Sequence, residues 1–269
     1  RALSPPARSA SRCSPRNAST SRSSSTKSCS KALRGLQRLA ERAGDESALV
    51  GYLEDELALV SEPSALAALL YRIGQIEERR GASESALNRY ARALDQVPDH
   101  SVAMSALEQA LSCPSSARAA EILEPFMRLF ERWSGLRQVL ELQVDASEDP
   151  SFRMRVLREV ATLREERLSD TAGAFQTWQR LLLEDRQDGS VVASLERLAS
   201  ALSLWEPLAE QYTTLALGGS RADDDIATAS EFSRRLVRVL EERLGMSAAA
   251  RTQVERIIAA QGEDPELLD

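Results

Sequence analysis

The stretch Glu77-Glu78-Arg79-Arg80-Gly81-Ala82-Ser83-Glu84-Ser85-Ala86-Leu87 returns twice along the chain, and that return decides the fold. The second copy is Glu165-Glu166-Arg167-Leu168-Ser169-Asp170-Thr171-Ala172-Gly173-Ala174-Phe175. The third is Glu241-Glu242-Arg243-Leu244-Gly245-Met246-Ser247-Ala248-Ala249-Ala250-Arg251. Self-similarity of this kind marks a stacked array, in which one unit cannot bury its apolar face alone. The copies lie 88 and 76 residues apart, so the array is irregular.

The surrounding sequence has helical texture. Leu66, Leu69, Leu70, Ile73 and Ile76 follow one helix face, as do Phe152, Val156, Val160 and Leu163, and then Ile226, Ala229, Leu236, Val237 and Leu240. Gly44, Gly81 and Gly245 sit where a helix end needs a left-handed residue. Asp45, Ser83 and Asp170 follow as N-cap candidates, and Pro63 and Pro150 suit a first turn. The signals predict helices near 32–43, 46–60, 63–80, 84–96, 100–111, 116–131, 134–146, 150–168, 171–185, 190–200, 203–217, 223–244 and 247–260. Short connections predict antiparallel neighbours. Ala, Leu, Arg and Glu dominate while aromatics make up only 4%, so the fold class is all-α.

The net charge of −7 hides a split. Residues 1–31 hold seven basic side chains and no acidic one, leaving −14 on residues 32–269. An acidic body repels nucleic acid and favours basic or neutral partners, though a solvated helical surface explains the charge equally well. The Ser-, Arg- and Pro-rich segment 1–31 has no apolar periodicity and reads as a disordered tail. A basic arm for an anionic surface, a linker and non-native sequence remain open for it. The three cysteines, Cys13, Cys29 and Cys113, form no framework or CxxC pair, which fits a reducing, cytoplasmic compartment. No apolar run is long enough for a membrane span. The chain begins at Arg1 and ends on Glu266-Leu267-Leu268-Asp269 without a polar cap, which reads as part of a longer array.

Residues 67–100 resemble a tetratricopeptide repeat, with family positions matched by Leu70, Ile73, Gly74, Gly81, Ala86, Tyr90, Ala93 and Pro98. Gly74 and Ala86 are small where two helices cross, Leu70, Ile73 and Tyr90 fill the space around the crossing, and Pro98 ends the second helix. The second copy keeps Ala174 and places Trp178 at the Tyr90 position, with Thr162 for Gly74 and Arg186 for Pro98. The third keeps Gly245 and Ala250, with Ser233 and Val254 at the small and aromatic positions. Trp133 and Trp205 open two further segments, at the place where the first unit has Asp45-Glu46-Ser47. Ala119-Ala120-Glu121-Ile122-Leu123-Glu124-Pro125 reads as an added segment. The tryptophans read as core wedges.

The resemblance implies a right-handed α-solenoid of antiparallel helix pairs over 32–269, with units near 32–100, 101–188 and 189–269, as in large bacterial repeat proteins. It implies a scaffold that binds a protein or peptide on a concave face lined by the first helix of each pair. Carried across, the groove-facing residues are Tyr71, Gln75, Glu78 and Arg79, then Glu159, Leu163, Glu166 and Arg167, then Arg235, Val239, Glu242 and Arg243. The recurrent Glu-Arg pair could bind a polar peptide, or it could be self-neutralising surface or a lock between repeats. The alternative function is an architectural or regulatory segment of a larger bacterial protein with no free ligand.

No catalytic motif, cofactor fingerprint or metal-ligand spacing occurs. The single histidine, His100, reads as a polar residue at a helix start. Asp223-Asp224-Asp225 reads as negative charge at a helix N-terminus, not as a metal site. The expectation is no enzyme, no cofactor, no metal, no small-molecule substrate and no nucleic-acid partner.

Overall fold

The computed structural model describes residues 20–217 and 223–246, with 248, 251, 252 and 255 beyond them, and backbone alone for 20–29 and 223–226. Among the described residues the chain runs through α1 (Thr20–Ala43), α2 (Glu46–Leu57), α3 (Pro63–Arg79), α4 (Ser83–Gln96), α5 (Ser101–Ala110) and α6 (Ser116–Leu129). It continues through α7 (Trp133–Ala146), α8 (Pro150–Glu166), α9 (Thr171–Glu184), α10 (Gly189–Leu202), α11 (Trp205–Leu217) and α12 (Asp223–Arg238). A π-helical turn, Val239–Arg243, prolongs α12. Consecutive helices meet the expected ones within three residues at nearly every other end.

Turn chemistry explains the agreement. Pro63 and Pro150 take the first helical position, where a missing N–H costs nothing, and Glu62 and Asp149 cap them. Asp45 accepts from the Ala48 amide at 3.0 Å and Asp170 from the Gly173 amide at 2.9 Å. Ser83 is the exception. It lies inside α4, and the cap position falls to Ala82, which offers no side-chain acceptor.

Among the described residues six are left-handed, and they fall into two series that restate the repeat in backbone terms. Gly44, Glu131 and Ser203 precede α2, α7 and α11, whereas Gly81, Ser169 and Gly245 follow α3, α8 and the π turn. Thus the second copy keeps the turn of the first although it has Ser169 in place of glycine. The backbone repeats more faithfully than the side chains do.

α1 starts at Thr20, twelve residues before its expected start. Pro15 is the last proline of the N-terminal segment, and no Pro or Gly follows until Gly35. Ser and Thr cost little in a helix, and extending a helix already anchored through Leu33, Gln37 and Ala40 avoids a fresh nucleation. Residues 1–19 of the expected tail lie outside the described residues, as do Gly218-Gly219-Ser220 and most of the expected helix 247–260.

Contacts divide the chain into two compact units, residues 1–118 and 119–269. In the first, Ala40, Leu49, Leu53, Ile73 and Ile76 form a core beneath Ala48, Val50, Tyr52 and Leu69. The α3–α4 crossing is the tightest point. A Cβ placed on Gly74 would lie 2.5 Å from Cε1 of Tyr90, so the absence of a side chain there admits the ring. Ala86 and Tyr90 are both buried.

In the second unit, α6 packs on α7 where Gly135 faces the Met127 sulfur, 2.8 Å from an added Cβ. The residues expected as an added segment fall within α6. Ala119, Ala120, Ile122 and Leu123 are all buried within α6. Farther along, Phe175, Trp178, Leu181 and Leu182 of α9 are buried with Val156, Leu157 and Val160 of α8, and α9 also meets α10. The Tyr212 and Phe232 rings meet at 5.5 Å between α11 and α12, while Ser233 at the small position is fully buried and turns its hydroxyl to the Ala229 carbonyl.

Candidate functional site

The expected groove residues of the first copy are brought together on the outer face of α3. Tyr71, Gln75 and Glu78 stand at i, i+4 and i+7, one face of a helix. Gln75 Nε2 donates to the Tyr71 hydroxyl at 2.9 Å, and the Tyr90 hydroxyl donates to Glu78 Oε2 at 2.7 Å. The Tyr71 ring meets Tyr90 at 5.6 Å and His100 at 5.8 Å between centroids. Burial, followed by the Glu78 carboxylate, pushes the Tyr90 hydroxyl far above the ordinary tyrosine range, so it stays a donor. His100 caps α5, its Nδ1 accepting from the Ala103 amide at 3.3 Å. The polar residue expected at a helix start is thus also one wall of an aromatic cluster.

Arg79 departs from this group. Its Nε reaches Glu46 Oε1 at 3.1 Å, across the cleft that Gln75 and Leu49 also line. On the same cleft Arg72 of α3 pairs with Glu41 of α1. Both bridges tie α3 to the helices before it.

The other two copies repeat that departure with different chemistry. The Arg167 guanidinium lies over the Trp133 ring at 5.2 Å, and that of Arg243 over the Trp205 ring at 5.0 Å. Each arginine sits two residues before the left-handed residue that follows its helix. Each contact sits two residues after the left-handed residue that opens the preceding helix. The three locks are therefore one device: a cation at the C-terminal end of α3, α8 or the π turn closes on the first residue of α2, α7 or α11. Of the openings left by the sequence for the recurrent Glu-Arg pair, the arginine takes the lock.

The tryptophans divide accordingly. Trp178 is buried and donates from Nε1 to Glu165 Oε1 at 2.7 Å, as a wedge with a satisfied polar end. Trp133 and Trp205 are half-buried beneath arginines, not wedges between helices. Their place at a helix start leaves one ring face open, and the cation covers it.

Two expected groove residues belong to the interior instead. Leu163 is 8% exposed and Val239 is 5% exposed, so neither offers an open surface. Their helices rotate an apolar side chain inward where the first copy has Gln75 and the equivalent turn. Glu159 pairs with Arg128 at 2.5 Å, and Arg235 pairs with Glu196 at 3.0 Å and Glu231 at 2.9 Å. Glu166 and Glu242 are exposed at the ends of their helices.

Sequence reading missed a set of polar clusters that each join three helices through a carboxylate or a guanidinium. Glu165 receives Trp178 and also Arg197 at 2.6 Å, and Glu196 receives Tyr212 at 3.2 Å and Arg235. The nearly buried Glu77 takes Arg89 of α4, which also reaches Glu54 of α2. Their partners lie 12 to 39 residues away, beyond the range of any local motif. Among the described residues no group of three or more His, Cys, Asp or Glu side chains is arranged to hold a metal ion, and no helix is long and apolar enough to cross a membrane.

No protein-family model and no curated protein matches the chain. Among solved structures it is similar to that of pilF from Pseudomonas aeruginosa, at 18% identity over 87% of this chain and 94% of the other, with a TM-score of 0.29. It is also similar to the C-terminal part of a TPR repeat-containing protein from Cytophaga hutchinsonii, at 14% identity over 93% and 94% of the two chains and a TM-score of 0.26. A tetratricopeptide repeat protein from Parabacteroides merdae follows at 11%, 90%, 96% and 0.24. These likenesses are loose. The chain is a helical repeat protein on its own geometry: the two left-handed series, the recurring arginine lock, and a tetratricopeptide-like crossing of α3 and α4.

Proposed function

We propose that the chain is a protein-interaction scaffold, and that within residues 1–118 the α3 face carrying Tyr71, Gln75 and Glu78 reads a protein or peptide partner. One observation supports this most: Gln75 and Glu78 are exposed and Tyr71 half-buried beside them, yet all three are already held by hydrogen bonds and ring contacts. Groups fixed in advance lose little freedom when a partner arrives. The Gln75 carbonyl and the second Glu78 oxygen remain as acceptors, which suits a polar or basic peptide, as does the acidic body of the chain. The compartment in this reading is a bacterial cytoplasm, where the exposed Cys113 stays a thiol.

A random peptide library panned against the whole chain tests the reading. The expected result is an enriched consensus whose affinity falls about tenfold in a Tyr71→Phe/Gln75→Ala variant, roughly the loss of two hydrogen bonds, with unchanged melting. Binding that ignores those substitutions, or no consensus, would remove the α3 face as a reader.

A second reading is favoured by a different observation. In the later copies Leu163 and Val239 are buried and Arg167 and Arg243 rest on tryptophans, so these positions serve cohesion. That supports the chain as an architectural or regulatory segment of a larger protein, and the same library returning nothing would favour it.

A further inference from the structure

α1 has two apolar faces, and only one is used. Leu33, Gln37 and Ala40 turn into the first unit. About a quarter-turn away runs a second stripe, Ala32, Gly35, Leu36, Leu39 and Ala43, every member exposed. Leu36 is 41% and Leu39 61% exposed, and a Cβ on Gly35 would meet nothing within 4 Å. Spacing of three and four residues with two leucines between small residues gives a ridge beside a shallow groove, the shape into which another helix packs.

Charge says what kind of helix. Lys31, Arg38 and Arg42 lie along the outer edge of this stripe, all exposed, and among the described residues none of the three has a partner. Arg34, on the far side of that edge, is held by Glu56. The one acid on this stretch of α1, Glu41, is engaged by Arg72. The free row spans twelve residues, about 16 Å of helix between its ends. We infer that this face of α1 docks an acidic amphipathic helix of a partner protein, its apolar side over Leu36 and Leu39 and its carboxylates facing Lys31, Arg38 and Arg42. A membrane surface shares the cationic edge but fits the stripe poorly. Insertion draws on bulky Trp, Phe and Leu side chains, whereas Ala32, Gly35 and Ala43 give close approach to a backbone instead.

The surface lies apart from the α3 face, so the two are tested separately. Two labelled helical peptides of about five turns share one leucine face, and one carries Glu and the other Lys along its flank. Fluorescence anisotropy is recorded against the full chain. The Glu peptide should bind at least tenfold more tightly than the Lys peptide and weaken as salt rises. Leu39→Gln should lower its affinity about tenfold, and Arg38→Gln/Arg42→Gln several-fold. Circular dichroism should be unchanged, because every substituted side chain is exposed.

Equal binding of the two peptides, binding by neither, or binding that survives both variants would overturn the inference. So would preferential binding to phosphatidylcholine–phosphatidylserine vesicles, which would make the face a membrane contact. Self-association that Leu39→Gln abolishes would assign it to a second copy instead.

Discussion

Gly74→Ala isolates the α3–α4 crossing. In an open helix position the change stabilises by about 1 kcal/mol, because alanine is the better helix former. Here the new methyl would lie 2.5 Å from Cε1, 2.9 Å from Cδ1 and 3.1 Å from Cζ of Tyr90. That ring is 2% exposed, in tilted contact with Tyr71 and tied through its hydroxyl to Glu78, so it has nowhere to retreat without breaking a contact. Overpacking costs about 1–3 kcal/mol, and losing a hydrogen bond to a charged acceptor adds about 1–2 kcal/mol. The sum is a net loss of about 1–4 kcal/mol. Urea unfolding followed by far-UV circular dichroism should show it, with faster amide exchange in α3 and α4 locating the damage. Gly51→Ala is the control. It lies inside α2 with open space around its Cβ, and should gain up to about 1 kcal/mol. The refuting result is a Gly74→Ala protein as stable as the parent. A second is a penalty that persists unchanged in the Tyr90→Leu background, where the ring is gone and the two changes should couple.

Ser169 holds the left-handed conformation that glycine holds in the other copies, with φ of 54°, so Ser169→Gly should stabilise by about 0.5–1 kcal/mol in thermal melting. Arg167→Ala uncovers the Trp133 ring and should cost about 0.5–1 kcal/mol in the same assay, with Arg167→Lys retaining part of it. The Asp188 carboxyl is held below the usual carboxylate range by the Ser190 hydroxyl, with help from the Ser190 amide and Arg158. Its contribution is therefore complete above the unfolded value of about 4 and fades as pH falls through the lower folded value. Asp188→Asn should flatten the acid limb of a stability-versus-pH curve, and an unchanged limb would discount the cap at α10.

The positions of α2 to α11 were legible because their punctuation is local. Gly81 with Ala86 and Tyr90, Pro63, Pro150 and Asp170 each act within a turn or two, and each did what its chemistry dictates. The start of α1 at Thr20 was not legible, since residues 20–31 carry no apolar periodicity and the helix is anchored only farther on, through Leu33, Gln37 and Ala40. For the candidate site, sequence placed Tyr71, Gln75 and Glu78 on one face and left a lock open for Arg79, Arg167 and Arg243, but did not identify the residues they close on. Their contacts lie 33 to 38 residues upstream, and the contact residue is Glu in one copy and Trp in two. A contact that conserves geometry while changing its chemistry leaves no motif to read.

All three tryptophans, Trp133, Trp178 and Trp205, fall in residues 119–269, whereas Tyr52, Tyr71 and Tyr90 fall in residues 1–118. Light absorbed at the red edge of the protein band, beyond tyrosine, therefore excites one compact unit and leaves the other dark. Intrinsic emission set against far-UV ellipticity makes the chain its own two-channel instrument. Coincident transitions would report a single cooperative block, and separated ones would give the order in which the units let go, without a label or a truncation.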